Sequence, residues 1–218
     1  MSPDSGAAVG TRVTVDAPPE LAGWAGAATA IHAIQQMPMP VTLRLHVDGH
    51  GVITIDLAFN AYEWSRSLSD FSLTPDSVRV ETEPGNPDTP SIDLPGRPLD
   101  PLLYAIGWRA FGDEPAPWLV DGHRYRLRRW PSLSELAIGL DEVRMIAMLG
   151  NAFATADELA AAAQIPPSDA RRLVNALSVA GILRRTATAP ALDAAAGSRD
   201  GAPASTGLFA RLRKKWGR

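Results

Sequence analysis

Three places along the sequence collect side chains with chemistry to offer. His46, Asp48 and His50 alternate through a short stretch, a spacing and donor set that could ligate a metal ion. They fall on Asp48-Gly49-His50-Gly51, however, and a tight turn there interrupts the strand geometry that would keep two histidines on one side. With no further ligand nearby, a solvated turn is expected, and no metal. Arg171, Arg172, Arg184 and Arg185 form the second set, suited to neutralising phosphates. The third is at the end of the chain. There Leu208, Phe209, Leu212 and Trp216 approach one face of a helix, and Arg211, Arg213, Lys214, Lys215 and Arg218 supply charge. Such a segment suits an anionic membrane surface or the groove of a partner, and equally a solvated tail.

Catalytic motifs are missing from this inventory. There is no Gly-x-Ser-x-Gly, no phosphate-binding glycine loop and no His-Glu-x-x-His. Without cysteine, thiol chemistry, disulfides and thiolate-ligated clusters are excluded. The acids are scattered, and none pair as acid and base. No catalytic residue and no cofactor is expected. His32 and His123 read as ordinary polar or packing residues, and Trp24, Trp64, Trp108, Trp118 and Trp130 as core or groove residues.

Charge divides the elements that must position these groups. Residues 1–140 hold 10 arginines against 17 acids, a net −7; residues 141–186 hold 5 of each; residues 187–218 hold 6 basic residues against 2 acids, a net +4. No apolar run approaches the ~20 residues of a membrane span, and residues 1–10 lack the basic and apolar regions of a secretory signal. The expectation is a cytoplasmic protein.

The periodicities predict an α+β fold. Residues 1–10 read as disordered. Within an α+β domain over 11–140, Leu21, Trp24, Ala28, Ile31 and Ile34 have helical spacing over 19–36. Val41, Leu43, Leu45 and Val47 alternate as a strand, as do Ile53, Ile55, Leu57 and Phe59, making a hairpin about Asp48-Gly49. Residues 82–98, with five prolines, read as an exposed loop. A helix is expected over 100–111 and a second hairpin over 118–130 about Asp121-Gly122. Val-Asp-Gly-His occurs at 47–50 and again at 120–123, which reads as two similar turns.

Residues 141–186 predict three helices. The first covers 141–151. Thr155 and Glu158 form a capping box for the second, 156–163. Ile165 fills the turn, Pro166 and Pro167 separate the helices, and Ser168 or Asp169 caps a third that runs to about Ala180. Gly181 follows where a left-handed residue is wanted. Residues 187–206 read as a flexible linker to the basic amphipathic tail, 207–218.

The pattern Thr155-x-x-Glu158-Leu159-Ala160, Ile165, Ala170-Arg171-Arg172 and Leu177-x-x-x-Gly181-Ile182-Leu183-Arg184-Arg185 resembles the winged-helix families of bacterial regulators. That resemblance implies a third helix in a DNA major groove and a basic wing on the backbone. The strand returning from a wing is not evident after Thr186, and a neutral module beside a domain of −7 is poorly suited to duplex DNA. Upstream, a helix followed by the hairpin of 41–59 and a helical extension resembles PATAN-type domains of bacterial signalling proteins, which implies regulation through protein contacts. The leading expectation is a non-catalytic bacterial adaptor that binds another protein through its acidic domain and is tethered by its tail. A DNA-binding regulator is the alternative, and an enzyme with a pocket near the Pro-rich region a further one.

Overall fold

The computed structural model describes residues 13–14, 23–71, 77–136 and 138–187. The expected disordered start, most of the linker and the whole basic tail, Leu208, Phe209, Arg211, Leu212, Arg213, Lys214, Lys215 and Trp216 included, lie outside them.

The fold is mixed α and β. Strands β1 (Val13–Thr14), β2 (Val41–Val47), β3 (Gly51–Asp56), β4 (Ala61–Glu63), β5 (Val78–Pro84) and β6 (Arg97–Pro98) form one antiparallel sheet in the order β1-β5-β2-β3-β4-β6. The expected hairpin is β2–β3, with Val47 opposite Gly51. Register sets Val80, Leu45 and Ile53 in one row and Leu43, Ile55 and Tyr62 in the next, all buried on one face. The alternate residues make a polar face, where Arg44 meets Glu83 at 2.7 Å and His46 meets Glu81 at 3.0 Å.

Residues 82–98 are not simply an exposed loop. Thr82 to Pro84 complete β5 in the sheet, and Arg97–Pro98 pairs with β4. Between them the chain folds back on the sheet, where Asp56 accepts from the amides of Ser91, Ala58 and Phe59, and Ile92 is buried. Buried partners for polar backbone outweigh the loop-forming tendency of five prolines.

Helix α1 (Trp24–Gln35) buries Trp24, Ala27, Ala28, Ile31 and Ile34. It starts later than its apolar spacing suggests, because Gly23 has φ 65° and cannot continue a right-handed helix. Helix α2 (Leu99–Ala110) is buried at every position from Leu99 to Gly107. A helix covered on all sides is a central one. Helices α3 (Leu140–Asn151), α4 (Ala156–Ala163) and α5 (Pro167–Val179) complete the helical set. The Thr155–Glu158 capping box opens α4. No side chain caps α5, contrary to expectation: Pro166 is its N-cap and Pro167 its first residue, where a missing N–H costs nothing. Gly181, φ 68°, ends it as expected.

Helix α5 is buried from Leu173 to Ala180 and crosses α2 closely. A Cβ on Gly107 would lie 2.7 Å from the Ala176 Cα and 3.0 Å from the Asn175 carbonyl oxygen. Backbone cannot swing aside as a side chain can, so Gly107→Ala should force the helices apart and cost about 1–3 kcal/mol. Thermal unfolding of the purified variant checks this.

The second hairpin is not present. Strand β7 (Arg124–Leu127) pairs with β8 (Leu183–Thr186), about 60 residues downstream, rather than with residues 118–120. Asp121-Gly122 still makes a turn, in which the His123 amide donates to the Val120 carbonyl as His50 does to Val47. Both Val-Asp-Gly-His copies therefore share a turn, but only the first reverses onto a neighbouring strand. Residues on both sides of Leu140 share a continuous buried core from Trp24 to Ile182.

Candidate functional site

A groove of about 1020 Å³ opens between the C-terminal end of α1, with the loops after it, and the β7–β8 ribbon. Its walls include Met37, Met39 and Leu57 on one side and Leu183, Arg184 and Arg185 on the other, with Arg128, His32 and Trp118 also lining it. No aspartate or glutamate is among its lining residues.

The ribbon concentrates arginine by strand alternation. Arg124, Arg126 and Arg128 are two residues apart, and Arg184 and Arg185 lie across from Arg126 and Tyr125. Two arginines hold the structure together. Arg124 meets Glu158 at 2.7 Å, and Arg129 grips Asp100 with both nitrogens at 2.5 and 2.6 Å. The other four, Arg126, Arg128, Arg184 and Arg185, have no carboxylate partner among the described residues. Arg126 and Arg184 lie over the same ring, Phe153, at 6.0 and 5.5 Å. Arg185 donates to the Trp118 carbonyl oxygen at 3.2 Å.

Trp118 is held in place from α5. Asn175, fully buried, accepts from the Ala116 amide at 2.9 Å and donates to the Glu114 carbonyl at 2.8 Å. Ser178 accepts from the Trp118 indole at 3.1 Å. On the groove side, His32 stacks on Trp118 with ring centres 4.1 Å apart and planes within 7°. Burial, reinforced by the charge of Arg185, lowers the His32 pKa and favours its neutral ring.

The sequence-derived candidates are distributed over separate places. Arg184 and Arg185 line the groove. Arg171 and Arg172 sit on the first turns of α5 and are engaged with acids, Arg171 with Asp157 at 3.5 Å and Arg172 with Asp113 at 2.6 Å. The face of α5 that a recognition helix would offer to DNA is therefore partly neutralised, and the helix is buried from Leu173 on. His46 faces Glu81, while His50 lies 3.4 Å from Arg66. His32, read from sequence as an ordinary polar or packing residue, lines the groove. Trp130, read as core or groove, is 60% exposed and lies over Gly150. None of residues 85–96 lines the groove.

Sequence reading missed Arg126 and Arg128. Their signal was present, since arginine at every second position from 124 to 128 is a strand with one basic face. What could not be read was the partner strand that brings them beside Arg184 and Arg185. Comparison with protein-family models, with curated proteins and with solved structures returns no match.

Proposed function

We propose that this protein is a non-catalytic cytoplasmic adaptor or regulator, and that it holds an acidic segment of a partner protein in the groove beside β7–β8. The observation that carries this reading is a large groove whose charged lining is all basic, in a chain whose net charge is −3. Four arginines without acidic partners in one ribbon are unfavourable to one another, and a negatively charged partner relieves that. No described element is a helix long and apolar enough to cross a membrane. The basic tail then serves as a tether, a role tested by deleting residues 207–218 and following the protein's position in cells.

The experiment for the groove is affinity purification with mass spectrometry, comparing the natural chain with the double variant Arg128→Glu/Arg185→Glu. Partners are expected to be lost from the variant and to weaken as salt is raised. A partner list that charge reversal leaves unchanged overturns the reading.

A second reading, nucleic-acid contact, has the Arg126–Phe153–Arg184 cluster in its favour. In that case residues 141–186 would be a winged-helix variant whose missing strand is β7, supplied from upstream. Against it stand the burial of α5 from Leu173 on and the ~6–10 phosphate contacts that such binding commonly uses. Absence of any duplex DNA shift at low salt would discard it.

A further inference from the structure

We infer that the partner segment enters as an added strand along the free edge of β8, extended and acidic. This rests on the protein-binding reading of the groove and specifies the geometry of the contact.

Hydrogen-bond alternation identifies the free edge. The Arg128 amide donates to the Ile182 carbonyl, so residues 128 and 182 are a bonded pair. In an antiparallel ladder, bonded and unbonded pairs alternate. Arg126 with Arg184 and Arg124 with Thr186 are then the next bonded pairs, and Leu127 with Leu183 and Tyr125 with Arg185 are the unbonded ones. Tyr125 agrees, because its N–H and C=O point the other way and exchange bonds of 2.8 and 3.0 Å with Ala154. The N–H and C=O of Leu183 and Arg185 accordingly point away from β7. No described strand pairs with that edge.

The edge opens onto the groove. Leu183, Arg184 and Arg185, three consecutive residues, all line it. A strand seen face-on presents alternate residues, whereas one seen edge-on presents consecutive ones. Main-chain bonds from Leu183 and Arg185 would supply affinity for any extended segment, and the side chains around them would choose which. Arg184, Arg185 and Arg128 choose acidic ones.

The same charges argue against two other occupants. Residues 207–218 of this chain carry five basic side chains and no acid, and would be repelled. A second copy paired through β8 would set Arg184 and Arg185 beside their own counterparts, which like-charge pairing across strands disfavours.

The test begins with phage-displayed random peptides selected on the full chain. Acidic sequences are expected to be enriched. The best peptide, fluorescein-labelled, is then titrated against Arg185→Ala and Arg185→Pro. Alanine removes the charge and should weaken binding about tenfold. Proline also removes the outward N–H, which β7 does not use, and should weaken it about fivefold further. Peptides N-methylated at alternate residues, measured on the unaltered chain, give the same answer without relying on the variant to fold. One frame should bind normally and the other should lose most of its affinity.

If alanine weakens binding but proline adds nothing and both methylated frames bind alike, strand addition is overturned while the basic groove survives. If selection enriches neutral or basic peptides, or none, both are overturned. The same holds if Arg185→Ala leaves affinity unchanged.

Discussion

Replacing Arg129 with alanine is expected to lower the free energy of unfolding by about 3–5 kcal/mol, read from urea denaturation at pH 7. The reason lies in Asp100, the second residue of α2, which is 3% exposed. It accepts from both terminal nitrogens of Arg129 and from the Ser132 amide at 2.9 Å. Without Arg129 a buried carboxylate loses its counter-charge. Asp100→Ala should cost less, because the arginine left behind is half exposed and can turn to water.

The pH dependence separates the two effects. Burial raises the Asp100 pKa, but hydrogen bonds from Arg129 and Ser132 and the charge of Arg129 outweigh it, and the carboxyl titrates below its ordinary value of 3.8. A group with a depressed folded pKa contributes stability above its unfolded value and loses it as pH falls through the folded one. The natural chain therefore loses this contribution in acid. In Arg129→Ala the Ser132 hydrogen bond alone opposes burial, so the folded pKa rises from its depressed value and less stability is lost in acid. The gap between the two proteins should narrow as pH falls. Parallel stability curves would show that Asp100 is not the group responsible.

Asn175→Ala is the second large effect, about 2–4 kcal/mol. The Ala116 amide is buried and would lose its acceptor, whereas the Glu114 carbonyl belongs to an exposed residue and can be hydrated. Leucine should do no better than alanine, since volume is not what the Ala116 N–H requires. The variant should also release the loop that carries Trp118, parting that ring from His32 and weakening the groove. A shift in tryptophan emission together with a fall in acidic-peptide affinity is expected. Stability lost with affinity unchanged would show that the loop does not shape the groove.

Local features were the legible ones. The β2–β3 hairpin announced itself through Val41, Leu43, Leu45 and Val47 and the glycine of its turn. The α4 capping box needed only Thr155 and Glu158, three residues apart. Strand β5 was hidden because its last three residues, Thr82 to Pro84, read as the start of a Pro-rich loop, and its long-range pairing with β2 overrides that. The second hairpin failed for a related reason. Asp121-Gly122 specifies a turn but not which strand the chain meets on leaving it. Of the site, Arg184 and Arg185 were visible as a basic pair. The groove was not, because its opposite wall comes from the end of α1 and from Leu57, more than 120 residues earlier in the chain.

The pairing of β7 with β8 also dictates an order of events. On the ribosome, residues 124–127 emerge well before their partner, and the nascent chain must make α3, α4 and α5 while that strand waits unpaired. A bare strand is a template for aggregation, and charged side chains along it are a common protection. Arg124, Arg126 and Arg128 give this one a row of positive charge throughout the wait. Once β8 docks, the exposed edge passes from β7 to β8, and Arg184 and Arg185 take over the guard.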